Sequence, residues 1–187
     1  FIGFHTMRSI CFSDLQRATA VGDNGEIFIT TNAGENWTQQ VSGTYYDLSS
    51  VFFSDANNGT AVGRTGTIIR TTNGGTNWIP QVSGSSDFLF GVSFSDLNTG
   101  TAVGLSGTIL RTSNGGVNWN SQFSGTERWF YDVCFTDNNN GTAVGNLGTI
   151  MKTTNGGSVY VTQLSDLIPE IFSLFQNYPN PFNPTTK

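Results

Sequence analysis

Hydrophobic and polar positions alternate in short runs along this chain, and the runs return at a fixed interval. One unit shows the pattern. Val51-Phe-Phe-Ser-Asp55 is an apolar, β-rich run, and Ala56-Asn-Asn-Gly59 is a polar turn cluster. Thr60-Ala-Val-Gly63 is a second run of small residues, suited to a place where backbones approach closely. Arg64-Thr-Gly66 turns the chain into a third run, Thr67-Ile-Ile-Arg-Thr71, and Asn73-Gly74-Gly75 turns it into a fourth, Asn77-Trp-Ile-Pro-Gln-Val82. Within the third run the period of two places Ile68 and Arg70 on one side and Ile69 on the other. Helical periodicity is absent, so the unit reads as four short strands.

The unit recurs with a constant step of 41 residues. Ala-Val-Gly begins at Ala20, Ala61, Ala102 and Ala143. The same step links Phe12, Phe53, Phe94 and Phe135, then Asp14, Asp55, Asp96 and Asp137, and then Trp37, Trp78, Trp119 and Tyr160. Four copies without an insertion are not a chance alignment. Four strands in about 40 residues, repeated, is the spacing of a β-propeller blade. The expectation is an all-β β-propeller of four 41-residue, four-stranded blades near 10–50, 51–91, 92–132 and 133–165. Turns lie between the third and fourth strands. Propellers run from about 4 to 8 blades, so four could close a small ring or form an arc of a larger one. Residues 1–9 align with the end of a preceding copy, which favours the arc.

Composition agrees with a turn-rich globular chain. The 187 residues include 23 glycines and 13% aromatics, while charged residues make up only 11%. A disordered segment would lack the aromatics. The net charge of −5 argues against nucleic acid as a partner, because phosphates are neutralised by clustered Lys and Arg. No apolar run approaches the roughly 18 residues of a transmembrane helix. The N-terminus has no basic start followed by a long apolar core, so no signal peptide is visible, and it lacks an initiating Met. The expectation is a processed chain or a fragment.

Thr71-Thr-Asn-Gly-Gly-Thr-Asn-Trp78 resembles the Asp-box, Ser/Thr-x-Asp-x-Gly-x-Thr-Trp. Thr30 to Trp37 and Thr112 to Trp119 match likewise, and Thr153 to Tyr160 is a degraded copy. The box residues are Asn32, Gly34 and Trp37; Asn73, Gly75 and Trp78; Asn114, Gly116 and Trp119; and Asn155 and Gly157. Asn stands at the Asp position each time, and it can offer the same side-chain oxygen to turn amides. A tightly hydrogen-bonded hairpin with a Trp tucked beneath it explains the box without a ligand. The longer pattern, Phe-x-Asp, Gly-Thr-Ala-Val-Gly, Gly-Thr-Ile, Asn-Gly-Gly and Trp, resembles the propellers of the photosystem II assembly/stability factor family over about residues 10–165. That resemblance implies a propeller that serves as a binding scaffold; it does not identify the partner.

Catalytic and metal chemistry finds little material. Sialidases share Asp-boxes but add an arginine triad and a Tyr nucleophile beside its acid partner. Here no Arg-Ile-Pro motif is present, and Glu26, Glu35, Glu127 and Glu170 have no constellation around them. Asp137-Asn-Asn-Asn-Gly141 hints at a calcium loop but has Thr142 where an EF-hand needs Gly and Gly148 where it needs Glu. No metal or cofactor is expected. His5 stands alone. Cys11 and Cys134 occupy equivalent repeat positions on different blades and are expected to be buried free thiols. Asn36, Asn58 and Asn140 open Asn-x-Thr sequons, meaningful only in a eukaryotic secretory route.

Beyond Gln163 the repeat stops. The segment 166–187 is read as a linker, with Pro169, Pro179, Pro181 and Pro184 concentrated in it. Gln176-Asn-Tyr-Pro-Asn-Pro-Phe-Asn-Pro-Thr-Thr186 resembles the opening of the C-terminal sorting domain of the type IX (Por) secretion system. This implies a chain exported to the surface or surroundings of a Gram-negative bacterium, with the secretion machinery as a partner. The expected division is therefore 1–165, propeller, and 166–187, linker and start of the sorting domain. The expected function is a non-enzymatic scaffold for a protein or an anionic glycan; the alternative is a non-catalytic fragment of a sialidase-like hydrolase. The candidate binding residues are Arg70, Arg111 and Lys152, one repeat position that successive blades would present as a cationic row. Ile29 breaks that row, and pairing with Asp55, Asp96 and Asp137 would be its structural explanation.

Overall fold

The structure, a computed structural model, describes residues 6–157 and 162–163. His5, Tyr160 and the sorting-domain resemblance at Gln176 to Thr186 lie outside the described residues. Four antiparallel four-stranded sheets follow one another. The first blade is β1 (Met7–Phe12), β2 (Ala18–Gly22), β3 (Ile27–Thr30) and β4 (Thr38–Gln40). The second is β5 (Leu48–Phe53), β6 (Gly59–Gly63), β7 (Ile68–Thr71) and β8 (Ile79–Gln81). The third is β9 (Leu89–Phe94), β10 (Gly100–Gly104), β11 (Ile109–Thr112) and β12 (Asn120–Gln122). The fourth is β13 (Phe130–Phe135), β14 (Gly141–Gly145), β15 (Ile150–Thr153) and β16 (Thr162–Gln163). Each is an up-and-down meander with neighbours in chain order.

The first strands lie innermost, β1 against β5, β5 against β9 and β9 against β13. They begin earlier than the apolar run suggests, at Leu48 rather than Val51. A register shift between Leu48 and Ser50 hides the continuity, because the irregularity breaks the alternation that sequence reading relies on. Between second and third strands a single 3-10 turn reverses the chain, and its middle residue is left-handed without being glycine: Asn24, Thr65, Ser106 and Leu147 have φ of 55°, 55°, 54° and 52°.

The core is not inside a blade but between blades. In the first seam Val21 and Ile27, on the back of the first blade, meet Leu48, Val51, Phe53, Ala61, Ile69 and Trp78 on the front of the second. Val62 and Ile68 meet Leu89, Val92, Phe94, Ala102, Leu110 and Trp119 in the second seam. Val103 and Ile109 meet Phe130, Val133, Ala143 and Met151 in the third. The alternation of Ile68 and Ile69 thus sends one side chain to each neighbour. The outer faces of the end blades lack such cover. Ile10 is 55% exposed where its equivalent Val51 is 5%, and Ile150 is 38% exposed where Ile27 is fully buried. The four blades form an open arc.

The cysteines depart from expectation. Both are free thiols, but Cys11 is only half-buried against the first seam, and Cys134 is exposed. They sit on the back of their blades; the second blade covers Cys11, and among the described residues no further blade lies against Cys134.

Candidate functional site

One rim of the arc carries the Asp-box turns. In the second blade, Thr71 Oγ1 donates to Asn73 Oδ1 at 2.9 Å and accepts from the backbone amides of Asn73 (3.3 Å) and Gly75 (2.9 Å). Asn73 Oδ1 also accepts from the Asn77 amide at 3.0 Å. Thr30 with Asn32 and Gly34, Thr112 with Asn114 and Gly116, and Thr153 with Asn155 and Gly157 repeat the arrangement. A carbonyl oxygen is all the turn asks of the third position, so Asn serves where the box usually has Asp. The turn is also tied to the first loop of its blade, Gly74 N donating to Asn57 O at 2.9 Å. Beneath it, Trp78 meets Phe53 edge-on at 6.1 Å and Trp119 meets Phe94 at 6.0 Å. The indole N–H groups of Trp78 and Trp119 are buried without a hydrogen-bond partner.

Asp55 and Asp137, placed in the sequence reading opposite the cations or in a calcium loop, act as turn caps. Asp55 Oδ1 accepts the amides of Asn57 (2.8 Å) and Asn58 (2.7 Å), and Asp137 Oδ1 those of Asn139 and Asn140. The Asn57 and Asn58 amides hold the Asp55 carboxyl below the usual carboxylate range; the Asn140 side chain and the Asn139 amide do the same for Asp137. The ion pairs seen among the described residues are instead Arg8 with Asp23 and Arg17 with Asp14.

Arg70, Arg111 and Lys152 do not form an equal row. Arg70 Nη2 donates to Asn58 Oδ1 in its own blade and to the Leu97 carbonyl of the next, both at 3.4 Å. Arg111 reaches the Asn138 carbonyl of the next blade at 2.5 Å and Thr101 Oγ1 at 2.9 Å, and its guanidinium lies 4.9 Å from the Phe135 ring centre. Each passes beside the glycine that precedes the box glycine of the following blade, as a Cβ built at Gly115 or Gly156 shows by its proximity to the guanidinium. In the first seam Ile29 lies against Gly75, while the Arg17 guanidinium is the side-chain group nearest Gly74, the equivalent of Gly115. The position is a clasp between blades, and burial pulls the Arg70 and Arg111 guanidinium groups below their ordinary pKa. Lys152 is exposed, and among the described residues no blade follows its own for it to clasp. Arg111→Gln should therefore cost about 1–2 kcal/mol, the range for hydrogen bonds to a charged group less solvent screening. Lys152→Gln should leave the urea midpoint unmoved, and equal effects would contradict the clasp.

The opposite rim holds a feature that sequence reading missed. Two positions at the start of the inner strand, one immediately before it and one within it, change character along the arc. The first runs Thr6, Asp47, Phe88 and Trp129, and the second Arg8, Ser49, Phe90 and Tyr131. They are polar in the first two blades and aromatic in the last two. Phe88 stacks on Phe90 at 4.5 Å, Phe90 meets Tyr131 at 5.7 Å and 64°, and Trp129 and Tyr131 are exposed. The signal available was the break in a pattern that elsewhere repeats every 41 residues.

Meander sheets, seams that carry the core and box-like turns on one rim together define a β-propeller. Solved structures agree. YCF48 from Cyanidioschyzon merolae is 22% identical with a TM-score of 0.69, covering 87% of this chain and 57% of its own. YCF48 bound to D1 peptide is 18% identical with a TM-score of 0.64, covering 88% of this chain and 56% of its own. An ancestral GH74 enzyme is 21% identical with a TM-score of 0.64, covering 81% of this chain and 23% of its own. The chain thus spans little more than half the length of the YCF48 chains, and the likeness is one of fold. No protein-family model and no curated protein matches the sequence.

Proposed function

We propose that this chain is a non-enzymatic binding scaffold for an extended protein segment, displayed at or beyond the outer surface of a Gram-negative bacterium after type IX export. The observation that carries the binding reading is the aromatic surface of Phe88, Phe90, Trp129 and Tyr131, which interrupts an otherwise repeating rim. Exposed Trp and Tyr are favoured at interfaces because they offer large rigid contact area at low entropic cost. Phe88 and Phe90 cover each other's faces and Tyr131 stands at an angle, which suits apolar side chains better than flat sugar rings. The YCF48 structure that holds a D1 peptide supports a peptide as the ligand class. Of the cationic positions, Lys152 is the exposed one, and it lies on the rim opposite the aromatics, where it can attract an acidic segment or an anionic glycan separately. Export rests on the resemblance of Gln176 to Thr186 to a sorting-domain opening.

Two experiments test the reading. Peptides selected from a displayed random library against the chain should bind at least tenfold more weakly to Trp129→Ala and Tyr131→Ala, with the fold unchanged by circular dichroism. Failure to enrich any peptide, or hydrolysis of a glycan by the chain, would overturn the scaffold reading. Fractionation of cells expressing the chain with and without 166–187, each fused to a complete sorting domain's remainder, tests export; cytoplasmic retention of both refutes it.

A further inference from the structure

We infer that the second seam of the aromatic rim holds an acidic side chain of the bound segment at Arg64, while apolar neighbours of that side chain rest on Phe88, Phe90 and Trp129. This rests on the peptide-binding reading above and names the chemistry of the peptide. The rim has a constant backbone and variable side chains. In every blade the first amide of the 3-10 turn, at Asp23, Arg64, Leu105 or Asn146, donates to the residue just before the inner strand. The acceptors are the carbonyls of Thr6, Asp47, Phe88 and Trp129, at 3.0, 2.9, 2.9 and 3.0 Å. The glycine ahead of each turn, such as Gly63 or Gly104, leaves no room beside that carbonyl for a side chain. The frame recurs, yet the side chains it carries differ from blade to blade. Exposed positions drift elsewhere too, as Glu35, Thr76 and Val117 do beside the box. Drift does not bring aromatic side chains into contact across two blades, as Phe90 and Tyr131 are, and exposed apolar patches of that kind mark interaction sites.

The first seam shows where a carboxylate sits in this frame. Asp47 Oδ1 of the second blade accepts the amide of Asn24, the middle residue of the first blade's turn, at 3.0 Å. One blade on, those positions are Phe88 and Thr65. Phe88 has no side-chain oxygen to offer and stacks on Phe90 instead. At the same step the first residue of the turn changes from Asp23, which pairs with Arg8, to Arg64. The seam thus loses its own carboxylate and gains a cation. Arg64 is exposed, and among the described residues its side chain has no partner. By contrast, Arg8 and Arg17 are ion-paired, and Arg70, Arg111 and Arg128 donate to atoms of the blades. The turn that carries Arg64 packs against β9, the strand of Phe90. The neighbouring carboxylates are engaged, Asp47 by the Asn24 amide and Asp87 by Thr108 Oγ1 at 2.6 Å. An acidic side chain next to an apolar stretch matches this cation beside its aromatics.

Peptides selected against the chain from a displayed random library should carry Asp or Glu beside a run of apolar residues. Arg64→Glu should weaken such a peptide by about tenfold, since it turns an attraction at the rim into a repulsion. The same peptide with Lys in place of its acid should bind Arg64→Glu as well as the original binds the wild type. Arg64→Gln should give an intermediate loss. The urea midpoint should not move in either variant, because the Arg64 side chain has no partner among the described residues. Arg17→Glu, the same charge change on the box rim, should leave the peptide's affinity unaltered. If it weakens the peptide as much as Arg64→Glu does, the effect is one of net charge and the inference falls. If peptides bind through Trp129 without an acid, or bind Arg64→Glu undiminished, the inference falls and the scaffold reading stands. If no peptide is enriched, both fall.

Discussion

Trp78→Ala should destabilise the chain by about 3–5 kcal/mol, the range for removing a buried large aromatic side chain. Trp37→Ala, the same substitution one blade earlier, should cost only about 1 kcal/mol, an ordinary value for a half-exposed site. Both residues end an Asp-box with the same hydrogen bonds. What differs is the neighbour. Trp78 lies in the first seam, edge-on to Phe53 and covered by the first blade, whereas Trp37 faces outward on the open front. The comparison is made by urea denaturation of the two variants side by side. Trp78→Phe adds a control. The Trp78 indole N–H is buried without an acceptor, so deleting it removes a desolvation cost of about 1–3 kcal/mol that offsets much of the lost area. The change should stay within about 1 kcal/mol. Equal losses at Trp37 and Trp78 would mean that the box, not the seam, holds the tryptophan, and the open-arc description would fail.

The fold was legible in the sequence because a repeat multiplies weak signals. A single run such as Thr60 to Gly63 is too short to name a strand, but four copies of it at one spacing name a blade. The alternation of Ile68 and Ile69 put one apolar side chain on each side of the strand, which the structure buries in the two neighbouring seams. Two features escaped for physical reasons. The register irregularity after Leu48 hides the start of each inner strand, since it puts an extra residue into a period of two. Exposure of Cys134 and Trp37 could not be read, because equivalent positions have equivalent patterns and only the missing neighbour separates them. The site divides in the same way. The Asn-centred boxes followed from turn chemistry. The cationic row did not, because sequence fixes that Arg70 and Arg111 are equivalent without saying that each bends onto the next blade's carbonyl. The aromatic rim was visible as a departure from the repeat, which a search for recurring residues passes over.

Gly63→Ala should cost about 3 kcal/mol, the upper end of the range for forcing an extra methyl into a filled site. Gly63 has φ −173°, an extended backbone that any residue adopts, so the loss is steric and not torsional. A Cβ there would fall on the carbonyl oxygen of Asp47. That oxygen cannot retreat cheaply, because it accepts the Arg64 amide at 2.9 Å and so closes the turn that leads into the third strand. The equivalent Gly104 meets the Phe88 carbonyl, which accepts the Leu105 amide at 2.9 Å, so the constraint belongs to the repeat and Gly104→Ala should behave alike. Gly84 supplies the contrast. It lies in the left-handed region at φ +72° with nothing within 4 Å of a built Cβ, so Gly84→Ala should cost only the torsional penalty of about 1–2 kcal/mol. Gly63→Asn should then be worse than Gly63→Ala, since a larger side chain deepens the clash, whereas Gly84→Asn should be milder than Gly84→Ala, since Asn tolerates the left-handed region. This reversal is the discriminating result in urea midpoints. If Asn rescues both positions, the small residues of the second strand are there for backbone freedom, and the close approach of the Asp47 carbonyl does not decide their identity.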